Sequence, residues 1–241
     1  MPEHPDLARL RAEYAERAKR VDQADRYSLF NPAQLFAIQQ RQRAILKCLR
    51  RNGFYPLKER RILEVGCGSG GVLLETLSFG AAAHHLYGAE LLFERVQMAH
   101  HTLGNLPLTN ADGQNLPYAT HSFDLSMQFT VFSSILDDEV KRNIAQEMLR
   151  VTRPGGMILW YDFWLNPTNP QTRGIRPAEI QRIFPDCQFQ FERITLAPPL
   201  ARRITPVSWG LGLLLEGLTI FNTHYLAAIR RAFNEPYPGE K

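Results

Sequence analysis

Four glycines, Gly66, Gly68, Gly70 and Gly71, fall within six positions directly after the apolar run Ile62-Leu63-Glu64-Val65. Glycines so placed suit the binding of a nucleotide-like ligand. Parts of a tight turn need positive φ, and a backbone without Cβ lets a ligand approach closely. Val72-Leu73-Leu74-Glu75-Thr76-Leu77 follows with helical spacing and stops at Gly80. The free N–H groups and positive dipole end of that helix face the turn. Gly66, Gly68 and Gly71 fit G-x-G-x-x-G, the dinucleotide pattern. Gly66, Gly68 and Gly70, with Glu64 before them, also fit an acidic-x-G-x-G-x-G pattern. Glycine spacing alone leaves both open.

Other candidate residues lie at strand ends. His84 to Glu90 reads as a second strand closing in an acid, and in a βαβ unit Glu90 can accept both ribose hydroxyls. Leu106 to Ala111 reads as a third strand ending at Asp112, and Ser122 to Phe129 as a fourth, with Gln128 near its end. Met157 to Trp164 reads as a buried fifth strand. Its Tyr161 and Asp162 lie on the edge where open α/β sheets bind ligands. Asp162 is the first candidate for a general base, with Tyr161 beside it and His121 and His224 as alternatives. No metal site is expected, because His84, His85, His100 and His101 form two adjacent pairs on different elements that do not converge. Cys48, Cys67 and Cys187 form no CxxC pair, which predicts reduced thiols of a cytoplasmic protein.

These residues need a scaffold of alternating strands and helices, hence a parallel α/β sheet. Residues 6–24 predict an exposed, charged helix. Asn31-Pro32 starts a second helix that Gly53 stops. Its cations Arg41, Arg43, Lys47, Arg50 and Arg51 read as a solvated face. Residues 1–53 thus form a helical cap and 54–241 the main domain. After the second strand, Leu91 to Leu103 predicts a helix. Asp137-Asp138 caps one running to Val151, and Arg153 to Gly156 reads as a turn. A loop with Pro167, Pro170 and Pro177 leads to a short helix at 177–184 and a sixth strand at Cys187–Leu196. Residues 197–221 are an insertion containing an apolar helix from Trp209 to Phe221. Thr223 to Arg230 is strand or helix on pattern alone.

The chain has 241 residues, 44% hydrophobic and 22% charged, with a net charge of +4. That is an ordinary globular composition. The mild positive charge suits an anionic substrate or a peripheral membrane contact, and does not call for nucleic acid. The first residues lack the apolar core of a signal peptide. The longest apolar stretch, Trp209 to Phe221, contains Glu216 and is too short to span a bilayer.

Four features in order resemble the class I S-adenosylmethionine (SAM) dependent methyltransferases of the type 11-like group: Glu64-Val65-Gly66-Cys67-Gly68-Ser69-Gly70, the acid Glu90, Asp112-Gly113-Gln114-Asn115-Leu116-Pro117 with Ser122-Phe123-Asp124, and Glu147 to Gly156. The resemblance covers about residues 60 to 165. It implies a Rossmann-like seven-stranded sheet with an antiparallel last strand at 223–230. It also implies that Gly66, Cys67, Gly68 and Gly70 cradle the methionine part of SAM, with Glu64 at its ammonium group. Glu90 would take the ribose, Asp112 and Gly113 the adenine edge, and Leu91 the adenine face, while Gln128 faces the methyl group. The segment Asp112 to Asp124 looks most like the quinone methyltransferase branch, but Ser133-Ser134 stands where that branch tends to place histidine. Phe129–Leu136 and Leu196–Arg203 are loosely similar to small methyltransferases of bacterial glycan clusters. The expected acceptor is therefore a small molecule, a hydroxyl of a sugar or glycan precursor. The alternatives are C- or N-methylation of a quinone- or lipid-like metabolite and a non-catalytic SAM-binding protein. Trp164, Trp209, Leu213 and Leu214, with Arg173, Arg202 and Arg203, are expected to form a lid over the acceptor. No metal is implied, and the chain is expected to be a monomer or homodimer.

Overall fold

The computed structural model describes residues 4–18, 28–165 and 171–232. Helices α1 (Pro5–Ala18) and α2 (Pro32–Arg51) precede β1 (Ile62–Val65), α3 (Gly71–Ser78), β2 (Leu86–Glu90), α4 (Phe93–Leu103) and β3 (Leu108–Asn110). Then come β4 (Phe123–Phe129), α5 (Asp138–Val151), β5 (Thr152–Phe163), α6 (Pro177–Ile183), β6 (Cys187–Leu196), α7 (Pro198–Ile204), α8 (Trp209–Gly217) and β7 (Asn222–Arg231). The seven strands form one sheet in the order β3-β2-β1-β4-β5-β7-β6. Every neighbouring pair from β3 to β5 is parallel. β7 runs antiparallel to both β5 and β6.

Helices cover both faces, so central strands read as continuous apolar runs rather than alternating ones. β4 is buried at every position. Strand alternation still sorts side chains between two cores. Leu63, Val65, Trp160 and Ile229 join one with Ile144 and Met148 of α5. Ile62, Leu125, Leu159 and Leu226 join the other with Ile45 of α2 and Leu73 of α3. Helix starts follow their caps: Asn31 Oδ1 accepts the Ala33 amide at 3.0 Å, and Asp137 Oδ1 accepts Glu139 and Val140.

Several expectations are corrected. The helix expected over 6–24 is present over Pro5–Ala18, the described part, and is not simply exposed, because Leu7 and Leu10 are buried; residues 19–27 lie outside the described residues, as do Pro167 and Pro170. Arg153–Gly156 is not a turn before the strand but part of β5. Phe123 pairs with Thr152 and Leu125 with Met157, so Asp124 faces a bulge of four residues. Asp124 holds that irregularity, accepting the Arg61 amide at 2.8 Å and pairing with Arg153. Of the α2 cations, Arg43, Lys47, Arg50 and Arg51 are exposed as expected and Arg41 is not, and three of the five are paired. Arg41 pairs with Glu75 of α3, Arg43 with Glu216 of α8 at 2.7 Å and Lys47 with Glu192 of β6 at 2.8 Å. The apolar helix expected to reach Phe221 ends at Gly217, and a 3-10 turn, Thr219–Phe221, leads into β7.

Candidate active site

The turn after β1 owes its shape to its glycines. Gly66 has φ +74°, and a Cβ there would lie 2.4 Å from Val131 Cγ2. Gly68 has φ +56° and lies so near Arg95 that a Cβ would sit 2.9 Å from its Nη2. The turn is tied to the end of β2 by backbone and side chain together. Gly66 donates to the Ala89 carbonyl at 2.7 Å. Glu90 Oε2 accepts the Gly68 amide at 2.8 Å, and Glu90 Oε1 accepts the Leu92 amide at 3.0 Å. Gly70, with φ +88°, is the N-cap of α3.

A cavity of about 470 Å³ opens above these strand ends. Of the expected cofactor residues, Glu64, Gly66, Cys67, Gly68, Glu90, Leu91, Asp112 and Gly113 line it. Glu64 is only 2% exposed, and its Oε2 has no hydrogen-bond partner among the described residues. Burial pushes its carboxyl up to about 8, against the pull of Arg41. Burial likewise pushes the Cys67 thiol up. Asp112 folds back on its own turn and accepts the Gln114 amide at 2.9 Å. An unpartnered buried carboxylate beside a turn that excludes Cβ atoms fits a ligand carrying a cationic group, and the residues present therefore suit SAM.

Four expected residues do not line the cavity. Gly70 sits behind the turn. Gln128 is fully buried, and both its side-chain polar atoms lack partners among the described residues. Asp162 is also fully buried; its carboxyl accepts the amides of Ser133 at 3.0 Å and Phe163 at 2.9 Å, and so holds the 3-10 turn Phe132–Ser134. Burial pushes it up to about 7. The Tyr161 hydroxyl bonds Thr195 Oγ1 at 2.9 Å, and its ring stacks on His224 at 4.9 Å. His224 is driven down to about 3 by burial and by Arg41. The expected lid is not over this cavity either, because none of Trp164, Trp209, Leu213, Leu214, Arg173, Arg202 and Arg203 lines it. Arg173 instead pairs with Asp138 and Glu179.

Other elements complete the wall. Leu7, Leu10 and Tyr14 of α1 face the cavity, as do Gln34, Ile38 and Arg41 of α2 and Glu75 of α3. Asp6 and Arg9 dock α1: Asp6 Oδ2 accepts the amides of Leu136 and Asp137 at 2.8 and 3.1 Å, and Arg9 Nη2 donates to the Ser134 carbonyl at 2.6 Å. The Arg41 guanidinium lies over the rings of Phe129 and Tyr161 at 5.9 and 5.7 Å. At the end of β4, Thr130 takes φ +55°, a strained conformation for a β-branched residue, and lines the cavity. The 34–38–41 spacing of α2 is a helical stripe and was the one available signal for that wall. Among the described residues no group of His, Cys, Asp and Glu could hold a metal ion.

Residues 62–156 match the family described as a methyltransferase domain. The phthiotriol/phenolphthiotriol dimycocerosates methyltransferase 1 of Mycobacterium ulcerans is 35% identical over 119 residues, 47% of this chain and 40% of that protein. The sterol 4-C-methyltransferase of Caenorhabditis elegans is 27% identical over 106 residues, 42% of this chain and 30% of that one. The chain thus spans less than half the length of these curated relatives. A SAM-dependent methyltransferase of Methanosarcina mazei has the same fold, with a TM-score of 0.55 at 17% identity over 75% of this chain and 97% of that one. The family match begins at the first residue of β1 and runs through the glycine turn, Glu90 and Asp112 into β5, on a seven-stranded sheet whose last strand is antiparallel: residues 62–156 match a methyltransferase domain, and the chain has the fold of the class I SAM-dependent methyltransferases.

Proposed function

We propose that the chain transfers a methyl group from SAM to a small-molecule acceptor. The observation that carries this reading is the buried Glu64 carboxylate, whose free oxygen faces a cavity bounded by the glycine turn and Glu90. In this reading Glu64 receives the ammonium group of the cofactor and Gly66–Ser69 lie along its methionine part. Glu90 takes the ribose, Asp112 and Gly113 meet the adenine edge, and Leu91 packs on the adenine face. When bound, SAM supplies an electrophilic methyl group on a sulfonium. The protein's part is proximity and an in-line approach. Leu7 and Leu10 of α1 exclude water from above. Asp162 and Tyr161 act at one remove: Asp162 holds the 132–134 turn, and Tyr161 supports the floor under Arg41.

For the acceptor, an apolar body fits best. Ile38, Phe129, Val131 and Ile135 also line the cavity, and the two curated relatives above are by name methyltransferases of dimycocerosates and of a sterol. Gln34 and the Arg41–Glu75 pair favour a second reading, in which the reacting group is a hydroxyl of a sugar or glycan precursor held by hydrogen bonds. The test is incubation with methyl-labelled SAM and separated lipid and water-soluble fractions of the source cell, followed by mass analysis of labelled products. A labelled lipid supports the first reading and a labelled glycan precursor the second. Tight S-adenosylhomocysteine binding with no labelled product in any fraction would instead favour a non-catalytic SAM-binding protein. Absence of S-adenosylhomocysteine binding would overturn all three.

A further inference from the structure

Helix α8 has the sequence Trp209-Gly210-Leu211-Gly212-Leu213-Leu214-Leu215-Glu216-Gly217 and is apolar nearly all round. One face is used. The Trp209 ring meets Phe36 of α2 edge-on at 5.0 Å, and Gly212 lies so close that a Cβ would sit 3.1 Å from the Phe36 ring. The opposite face is in solvent. Leu211, Leu214 and Leu218 recur three and four apart, with Val207 one turn earlier. Val207 is 87% exposed and Leu214 65%, and Ile220, in the 3-10 turn that follows, is 70% exposed. A surface helix is ordinarily polar on its outer face, and clustered exposed apolar side chains mark a contact surface.

The charges around this stripe indicate what it meets. Residues 197–222 contain three charged side chains, Arg202, Arg203 and Glu216. Glu216 is neutralised by Arg43 at 2.7 Å. Arg202 and Arg203 on α7 are exposed and make no ion pair among the described residues. An apolar stripe flanked by two unneutralised arginines, with no free acid, complements an anionic lipid surface. A nine-residue helix cannot span a bilayer, and no described helix is long and apolar enough to do so. It can lie in the interface with leucines sunk among the acyl chains and arginines at the headgroups.

We propose that α7 and α8 dock the protein on the surface of an anionic lipid bilayer through Val207, Leu211, Leu214 and Leu218, with Arg202 and Arg203 at the headgroups. This docking has a consequence for the cavity. α2 presents Ala33 and Phe36 to the cluster of Ala201, Trp209 and Leu215, while Gln34, Ile38 and Arg41 face the cavity. One helix, about 10 Å across, therefore separates the lipid-facing elements from the cavity, and an acceptor with an apolar body can be drawn from the bilayer.

The experiment is co-sedimentation of the full chain with vesicles of phosphatidylcholine alone and of phosphatidylcholine mixed with phosphatidylglycerol. The protein pellets with the anionic vesicles and not with the neutral ones. Arg202→Gln/Arg203→Gln weakens that partition roughly 30-fold, and Leu211→Glu/Leu214→Glu abolishes it. Both pairs are exposed, and the arginine variant keeps the test valid if the leucine variant does not fold. A wild-type protein that ignores anionic vesicles overturns the proposal, as does equal binding by the arginine variant. So does a dimer that Leu211→Glu/Leu214→Glu turns into a monomer with no vesicle binding at any stage, which assigns the face to a second copy of the chain. Vesicle binding reads no turnover, so its failure and that of the methyl-transfer reading are separable.

Discussion

Glu90 Oε2 accepts the backbone N–H of Gly68 at 2.8 Å, so the acid that ends β2 also fixes the turn that ends β1. Its other oxygen accepts Leu92 and sets the start of α4. Glu90→Ala removes both anchors together with the proposed ribose contact. Hydrogen bonds to a charged group contribute about 1.5–3 kcal/mol. S-adenosylhomocysteine affinity, measured by titration calorimetry, should therefore fall roughly 10- to 150-fold. Glu90→Gln, which keeps one acceptor oxygen, should lie between. An unchanged Kd in Glu90→Ala would remove Glu90 from the site.

Gly66 meets two separate constraints. Its φ of +74° is left-handed, and Val131 Cγ2 occupies the space of a Cβ. The left-handed backbone alone costs a residue with a side chain about 1–2 kcal/mol, and the overlap adds to that. Gly66→Ala should lower the urea midpoint and abolish cofactor binding. Adding Val131→Ala makes room and should restore only the steric share, leaving the backbone deficit. Complete recovery in the double variant would show that φ is immaterial here.

The parts of the site legible in the sequence are those built from local segments. Glu64, the glycines, Glu90 and Asp112 lie at or just beyond strand ends, and a strand–turn–helix pattern positions them whatever the rest of the chain does. A helical cap at the N-terminus was legible, but which of its residues wall the cavity was not, because their partners lie far away in sequence. Arg41 reads as a solvated cation until packing brings Glu75 across from α3. The Asp162 role was misread for a related reason. The edge position was visible, but not the amides of Ser133 and Phe163 that take up its carboxyl. The bulge opposite Asp124 also hid the true start of β5, because Pro154-Gly155-Gly156 has the composition of a turn.

Two buried carboxyls set a pH dependence. Burial raises Glu64 from 4.5 to about 8 and Asp162 from 3.8 to about 7. In the unfolded chain both release their protons at the ordinary values. The folded state therefore binds more protons between those values and the raised ones, and stability falls as pH rises through that window. The share from Glu64 is fully present below pH 4.5 and lost by about pH 8. Glu64→Gln should leave the thermal midpoint unchanged at pH 4, raise it at pH 8 and flatten the slope between. The same variant should bind S-adenosylhomocysteine more weakly, because a neutral amide replaces the proposed partner of the ammonium group. A parallel downward slope in wild type and variant would show that Glu64 is ionised in the folded protein.

The roof of the cavity is held on from its edge. Asp6 accepts the amides of Leu136 and Asp137, and Arg9 reaches the Ser134 carbonyl, so α1 is fastened to the segment that follows β4. Leu7 and Leu10 then line the cavity. Asp6→Ala leaves two amides without their acceptor and costs α1 docking about 1–3 kcal/mol. α1 lies outside the sheet, so the global thermal midpoint should move little. Limited proteolysis should cut the first 18 residues faster, and S-adenosylhomocysteine should bind several-fold more weakly as water enters from above. Arg9→Ala should act in the same direction. If Asp6→Ala leaves both the cleavage rate and the affinity unchanged, α1 is not a functional roof, and the cavity must hold its ligand through the strand ends and α2 alone.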